Sequence, residues 1–238
     1  MTEEPTLPPP SDAYLAIFDH DGVLVDSLEL HQDAWVEMGR RTGLSVTPEF
    51  IHETFGMTNP SILRLLLGDA ITDAEIGRYS DQKEVCYRDL ARGKIVLMDG
   101  VREVLDALTA RGVRLAIGSS GVRPNLDLTV TECGLDGRFA AIASLEDISR
   151  GKPDPQVFLV AAARAGVEPS HSLVFEDAPV GIQAAKAAGM YAVGLTTTRP
   201  AADLVEAGAD EVVANLVGYD ILGLLGRLEA RAAGSRMP

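Results

Sequence analysis

The sequence predicts an α/β protein: a parallel sheet with helices on both faces and an all-helical block inserted after the first strand. Three observations predict it. From residue 101 onward, short apolar runs alternate with helical patterns, as in successive βαβ units. Between residues 28 and 95 there is no strand pattern. The apolar run Tyr14-Leu15-Ala16-Ile17-Phe18 stops abruptly at Asp19-His20-Asp21-Gly22. A buried strand ending this way delivers negative charge to the sheet edge where open α/β folds bind ligands.

The elements follow in order. After the first strand, Asp26-Ser27 reads as a helix N-cap. A helix is expected from Leu28 to about Gly43, with Leu28, His31, Trp35 and Met38 on one face, Trp35 and Met38 as core of the block. Helical patterns continue over 48–55, 59–67 and 73–92. The sheet resumes with a helix over 101–111 and a strand over 113–118. Then come a helix over 123–133 closed by Gly134, a strand over 139–143, a helix over 155–165 and a strand over 172–175. A helix over 180–188 and strands over 192–195 and 211–214 complete the pattern. The expected organisation is a core of residues 12–27 and 96–232, a helical block of 28–95, and disordered tails at 1–11 and 233–238.

Composition narrows the function. The 238 residues carry a net charge of −14, which argues against nucleic acid, whose binders show a basic face. A local pocket can still be positive, so a small phosphorylated metabolite remains compatible. No apolar run is long enough to span a membrane, and the acidic, Pro-rich start lacks a signal-peptide pattern. Cys86 and Cys133 form no CxxC and are read as reduced thiols of a cytoplasmic protein. A monomer or weak oligomer fits all of this. Neither GxGxxG nor GxxxxGK[ST] occurs, so no dinucleotide fingerprint or Walker loop competes.

The chemistry-bearing residues share one property: each follows a predicted strand. Asp19 and Asp21 follow the first, Ser119 and Ser120 follow 113–118, Lys152 lies in the Gly151-Lys152-Pro153-Asp154-Pro155 loop, and Glu176-Asp177 follow 172–175. A parallel sheet gathers such ends along one edge. Phosphoryl transfer needs a nucleophile, neutralisation of the phosphoryl oxygens and a proton for the leaving group. Asp19 suits the first role. A carboxylate attacking a phosphate faces repulsion of about 4 kcal/mol for unit charges 4 Å apart at an effective dielectric of 20. Mg²⁺ on Asp19 and Asp177, with the Lys152 ammonium, would cancel it. Ser119, with the N–H groups of Ser120 and Gly121, can donate to phosphate oxygens, and Asp21 can act as general acid and then base.

In order, FDHDGVLVDS, IGSSG, GKPDP and VFEDAPVGIQAAKAAGM resemble the four motifs of the haloacid dehalogenase superfamily. The helical block lies where β-phosphoglucomutase and phosphoglycolate phosphatase place an α-helical cap. The resemblance implies a Rossmann-like core, Mg²⁺ and an aspartyl-phosphate intermediate. It implies metal ligation by the Asp19 carboxylate, the Asp21 backbone carbonyl and the Asp177 carboxylate, with Glu176 a ligand or a neighbour of one. Relatives that cleave carbon–halogen bonds typically lack a carboxylate at the position of Asp21, so its presence favours phosphoryl chemistry.

DSLELHQDAW resembles the start of the β-phosphoglucomutase cap, and Lys83, four residues before Tyr87, fits a cap lysine of that group. His31, Asn59 and Lys83 are thus candidate substrate residues; the bland alternatives are an interface histidine and a solvated lysine. The mutase group usually has arginine where Asn59 stands, and asparagine cannot grip a second phosphate by charge-assisted bonds. The expected activity is therefore a Mg²⁺-dependent phosphatase of a small phosphorylated metabolite, a sugar phosphate being one candidate. A β-phosphoglucomutase-type mutase is the second reading, and a non-catalytic binding protein on the same fold the third. His20 stands where an apolar residue is usual; packing against the cap and touching substrate are both open. Arg64, Arg78, Arg88 and Arg92 are read as surface charges.

Overall fold

The computed structural model describes residues 14–54 and 57–234. The expectation of a disordered segment 1–11, and the end of the helix expected to reach Phe55, lie outside those residues.

Six parallel strands, β1 (Leu15–Phe18), β2 (Arg114–Gly118), β3 (Ala141–Ala143), β4 (Ser172–Glu176), β5 (Tyr191–Leu195) and β6 (Glu211–Val213), form one sheet in the order β3-β2-β1-β4-β5-β6. Period-two alternation decides which side chain meets which layer. Ala16 and Phe18 of β1 face one hydrophobic cluster, Leu15 and Ile17 the other. The first cluster takes in α5 (Val101–Ala110), α6 (Arg123–Glu132) and α10 (Ile221–Gly234), and the second takes in α7 (Gln156–Ala165), α8 (Pro179–Ala187) and α9 (Ala201–Glu206). Both faces of the sheet are thus covered, which is why β1 and β4 read as continuous apolar runs.

Between β1 and α5 the chain forms α1 (Leu28–Thr42), α2 (Pro48–Thr54), α3 (Asn59–Leu67) and α4 (Asp73–Ala91). Helix α4 starts with a capping box, Thr72 and Glu75 each satisfying the other's backbone N–H. Helices α1 and α4 pack together through Ala34, Trp35, Met38, Cys86 and Tyr87, all buried. The two connections to the sheet lie side by side. Val25 forms an antiparallel bridge with Leu97, and Met98 N–H donates to Leu24 O at 2.9 Å.

Three expectations need correction. The strand expected over 139–143 begins at Ala141. The sequence pattern does not predict helices α9 and α10; α10 carries Ile221, Leu224, Leu225 and Leu228 at helical spacing, but Gly223 and Gly226 interrupt its pattern. It also runs through Gly234, two residues into the segment read as a tail. Cys86 and Cys133 are buried free thiols. No helix among the described residues is long and apolar enough to cross a membrane.

Candidate active site

Strand β1 lies between β2 and β4, and the register pairs Phe18 with both Ile117 and Phe175. Asp19 therefore emerges beside Glu176, its N–H donating to Phe175 O at 3.0 Å. Asp19, Glu176 and Asp177 are all buried, and each offers a carboxylate oxygen within 4.8 Å of the others. Lys152 Nζ donates to Asp19 Oδ1 at 2.7 Å and to Glu176 Oε1 at 2.6 Å, and rests 4.9 Å from the centre of the Phe158 ring. Segments more than 130 residues apart in sequence thus meet at one point, joined by the bond from Lys152 to Asp19.

Three buried carboxylates facing one ammonium set the electrostatics. Burial and the charges of Glu176 and Asp21 push Asp19 up to about 6, against the pull of Lys152. Burial and the charges of Glu176 and Asp19 push Asp177 up to about 8. Burial opposes the charge on Lys152, but Asp19 and Glu176 more than compensate and hold the ammonium well above its ordinary range. Both oxygens of Glu176 are engaged, Oε1 by Lys152 and Oε2 by the Ala178 N–H at 2.7 Å. Asp177 Oδ2 accepts from Thr198 Oγ1, while Thr197 Oγ1 donates to Gly22 O at 2.6 Å.

Two glycines permit this crowding. Gly22 has φ +76°, and a β-carbon there would land on the Asp177 carboxylate. A β-carbon at Gly181, in the first turn of α8, would land on Oε1 of Glu176. Gly181→Ala is expected to displace Glu176 and with it Lys152. The expected cost is about 1–3 kcal/mol of stability, by overpacking, with activity lost out of proportion. Urea unfolding and phosphate release, measured together, check it.

Asp21 is surrounded differently. Three side chains converge on its Oδ1: His20 Nδ1 at 3.0 Å, His31 Nε2 at 3.3 Å, and the Ser27 hydroxyl. Burial opposes its charge, but His20 and His31 outweigh that and hold the carboxyl well below the usual carboxylate range. Lys83 Nζ donates to His31 Nδ1 at 2.8 Å. An ammonium has no acceptor, so His31 must carry its proton on Nε2, where it faces Asp21. Burial and Lys83 together lower the proton affinity of that ring, which is stacked on Tyr87 at 4.2 Å. Glu84 closes the chain: Oε1 accepts from Lys83 at 2.9 Å and Asn59 Nδ2 at 2.8 Å, and Oε2 accepts from Asn125 Nδ2 at 2.7 Å.

The structure thus brings Asp19, Lys152, Glu176 and Asp177 together, with Asp21, His31, Lys83 and Asn59 in a connected network beside them. Lys83 is only 3 % exposed, which overturns the solvated-lysine alternative. Arg88 is no surface charge; it donates to Asn125 Oδ1 at 3.0 Å, joining α4 to α6. Ser27 stands at the N-cap of α1, but its side chain caps nothing and serves Asp21 instead. Ser119 is buried at the end of β2; its Oγ accepts from the Gly121 N–H at 3.0 Å, so that N–H is engaged here rather than presented. Ser120 is exposed. Glu84, Asn125, Thr129 and Thr198 were missed. No motif marks them, because each matters only through packing between distant elements.

The family model for haloacid dehalogenase-like hydrolases matches residues 16–195. The chain belongs to the haloacid dehalogenase-like hydrolases. Validoxylamine A 7′-phosphate phosphatase from Streptomyces hygroscopicus subsp. limoneus is 34% identical over 204 residues, 81% of this chain and 90% of its own length. The beta-phosphoglucomutase of Bacillus subtilis (strain 168) is 32% identical over 79% of this chain and 87% of its own. Among solved structures, a HAD hydrolase of family IA, variant 3, from Entamoeba histolytica HM-1:IMSS matches with a TM-score of 0.81 at 26% identity. The match covers 91% of this chain and 99% of that one. The Rossmann-like sheet is that of the family, and the chain is an enzyme of the phosphoric monoester hydrolase class.

Proposed function

We propose that this hydrolase is a Mg²⁺-dependent, cytoplasmic phosphatase of a small phosphorylated metabolite, with sugar phosphates the leading candidates, acting through an aspartyl phosphate on Asp19. The observation that carries the reading is the convergence of Asp19, Asp177 and Glu176 on Lys152. An all-oxygen cluster with more negative charge than its one lysine balances fits a hard divalent cation. Asp19, Asp177 and the Asp21 backbone carbonyl would hold it. Glu176, with both oxygens engaged, is better suited to aiming Lys152. Bound there, Mg²⁺ would supply charge neutralisation to the carboxylates and the phosphoryl oxygens.

The side chains then divide the work. Asp19 attacks phosphorus, Lys152 and the loop after β2 (Ser119, Ser120) neutralise and bind the phosphoryl oxygens, and Asp21 handles the proton. In the free enzyme Asp21 is ionised, the state needed to activate water in the second step. Arrival of a phosphate dianion places like charge beside it and raises its proton affinity, as the first step requires. Helices α1–α4 serve as a cap over this edge, and His31 and Lys83 deliver the cap's contacts to Asp21.

Asn59 separates this reading from the mutase. One N–H of its amide is committed to Glu84, and the position offers no positive charge for a second phosphate. Release of inorganic phosphate from a panel of phosphomonoesters, set against isomerisation of β-glucose 1-phosphate, tests the choice; isomerisation outpacing hydrolysis would reverse it. A Mg²⁺-free protein that still hydrolyses the panel would remove the metal from the proposal.

Metal binding is expected to be pH-dependent with a definite sign. The raised proton affinities of Asp19 and Asp177 mean that both carboxyls are protonated at low pH and neutral without a cation. As pH rises through about 6 and then 8, their charges appear and the metal-free fold loses stability. Mg²⁺ should therefore raise the melting temperature of EDTA-treated protein more at pH 8 than at pH 5.5. An equal increment at both values would contradict the assignment.

A further inference from the structure

His20 sits between the two aspartates, where the family resemblance leads one to expect an apolar side chain. It is 1 % exposed, and both ring nitrogens are used. Nδ1 lies 3.0 Å from Asp21 Oδ1, and Nε2 lies 2.7 Å from Oγ1 of Thr129, itself fully buried on α6. A carboxylate oxygen offers only lone pairs, so Nδ1 carries a proton toward Asp21, while Nε2 is paired with the Thr129 hydroxyl, which can donate or accept. Burying an imidazole costs free energy unless both nitrogens are satisfied, and here both are. The three donors to Asp21 Oδ1 differ in origin. Ser27 and His31 come from the start of α1, whereas His20 is held from α6.

We infer that His20 is a positioning residue for Asp21: anchored by Thr129, it fixes Oδ1 so that Oδ2 is the oxygen that gives the proton to the leaving group and later takes one from water. An oxygen already receiving three donors has no room for a proton of its own, so the transferable proton resides on Oδ2. The phosphorus–oxygen ester bond of the substrate breaks as a carboxylate oxygen of Asp19 bonds to phosphorus. Its electron pair stays on the leaving oxygen, which receives the Oδ2 proton. His20 is thus tied to α6, a different element from the α1 start that supplies Ser27 and His31.

The inference rests on the reading of Asp21 as the acid–base group, and the experiment separates the two. For the full chain with Mg²⁺, kcat/KM is compared on a sugar phosphate, whose alkoxide needs a proton to leave, and on p-nitrophenyl phosphate, whose phenolate does not. His20→Leu is expected to lower kcat/KM about 10- to 100-fold on the sugar phosphate and by less than about 3-fold on the aryl ester, a fraction of a full general-acid effect. His20→Asn, whose amide can donate from the place of Nδ1, should recover most of the loss. Thr129→Val removes the anchor with little change of volume and should show the same asymmetry, more weakly; it decides the matter if His20→Leu does not fold. Equal losses on both substrates would assign His20 to packing and overturn the inference. Asp21→Asn provides the reference. If it shows the asymmetry and the His20 and Thr129 variants do not, only this inference falls. If it shows none, the acid–base reading of Asp21 falls with it.

Discussion

Asp19→Asn is expected to abolish phosphate release, by about 10⁴-fold or more, and at the same time to make the metal-free protein harder to melt. The first effect follows from chemistry: an amide cannot attack phosphorus as a carboxylate does, and no neighbouring group replaces a nucleophile at the end of β1. The second follows from charge. Asp19 shares a buried space with Glu176 and Asp177, and its raised proton affinity records the free energy spent on ionising it there. Above about pH 6 that cost falls on the folded state alone. Asparagine nearly matches the shape, leaves Lys152 its bond to Glu176 and removes one repelling charge. Thermal melts at pH 8 in EDTA, beside a phosphate assay with Mg²⁺, test both halves. Retained turnover would end the nucleophile assignment, and a lowered melting point would contradict the electrostatic account.

Lys152→Met should act in the opposite sense on stability. The ammonium is buried between Asp19 and Glu176, at 2.7 and 2.6 Å. Breaking a buried ion pair from one side costs about 3–5 kcal/mol, because the remaining charges lose their compensation. Methionine keeps the bulk against Phe158, so the loss reports charge rather than volume. In EDTA the destabilisation should be largest at pH 8 and shrink toward pH 5, where Asp19 and Asp177 take up protons. Activity should fall about 10³-fold with Mg²⁺ present, matching the repulsion of about 4 kcal/mol that the lysine helps to cancel. Lys152→Arg should not rescue it, since a planar fork cannot take the place of a point charge in this slot. Urea unfolding across pH reads the stability; a pH-independent loss would point to packing instead.

The sequence makes the centre of this site legible and leaves its surroundings dark, for a physical reason. Asp19, Lys152, Glu176 and Asp177 each follow an apolar run or lie in a loop between elements, and parallel topology converts such positions into neighbours without further information. The elements with clean periodicity, such as α1 and α3, appear within a residue of their expected limits. What escapes is whatever depends on which helix face meets which. Glu84 looks like one more helical carboxylate until α4 is laid against α6 and Asn125 reaches it. Ser27 looks like a cap until the turn of residues 21–25 folds Asp21 back onto it. Short or glycine-broken elements escape for another reason: β3 has three residues and α10 has a glycine in each of its first two turns, so neither presents a full period to read.

The bridge between Val25 and Leu97 has a consequence for how such a molecule can change over time. The chain enters and leaves the helical block through this one paired position, so the distance any insert must span is that of a hairpin, whatever the insert's size. Helices of different number or shape could be joined to those two residues while the sheet that carries Asp19, Glu176 and Asp177 stays closed behind them. The graft point is two paired residues wide, and the part of the insert that must be kept is its beginning, where Ser27 and His31 meet Asp21.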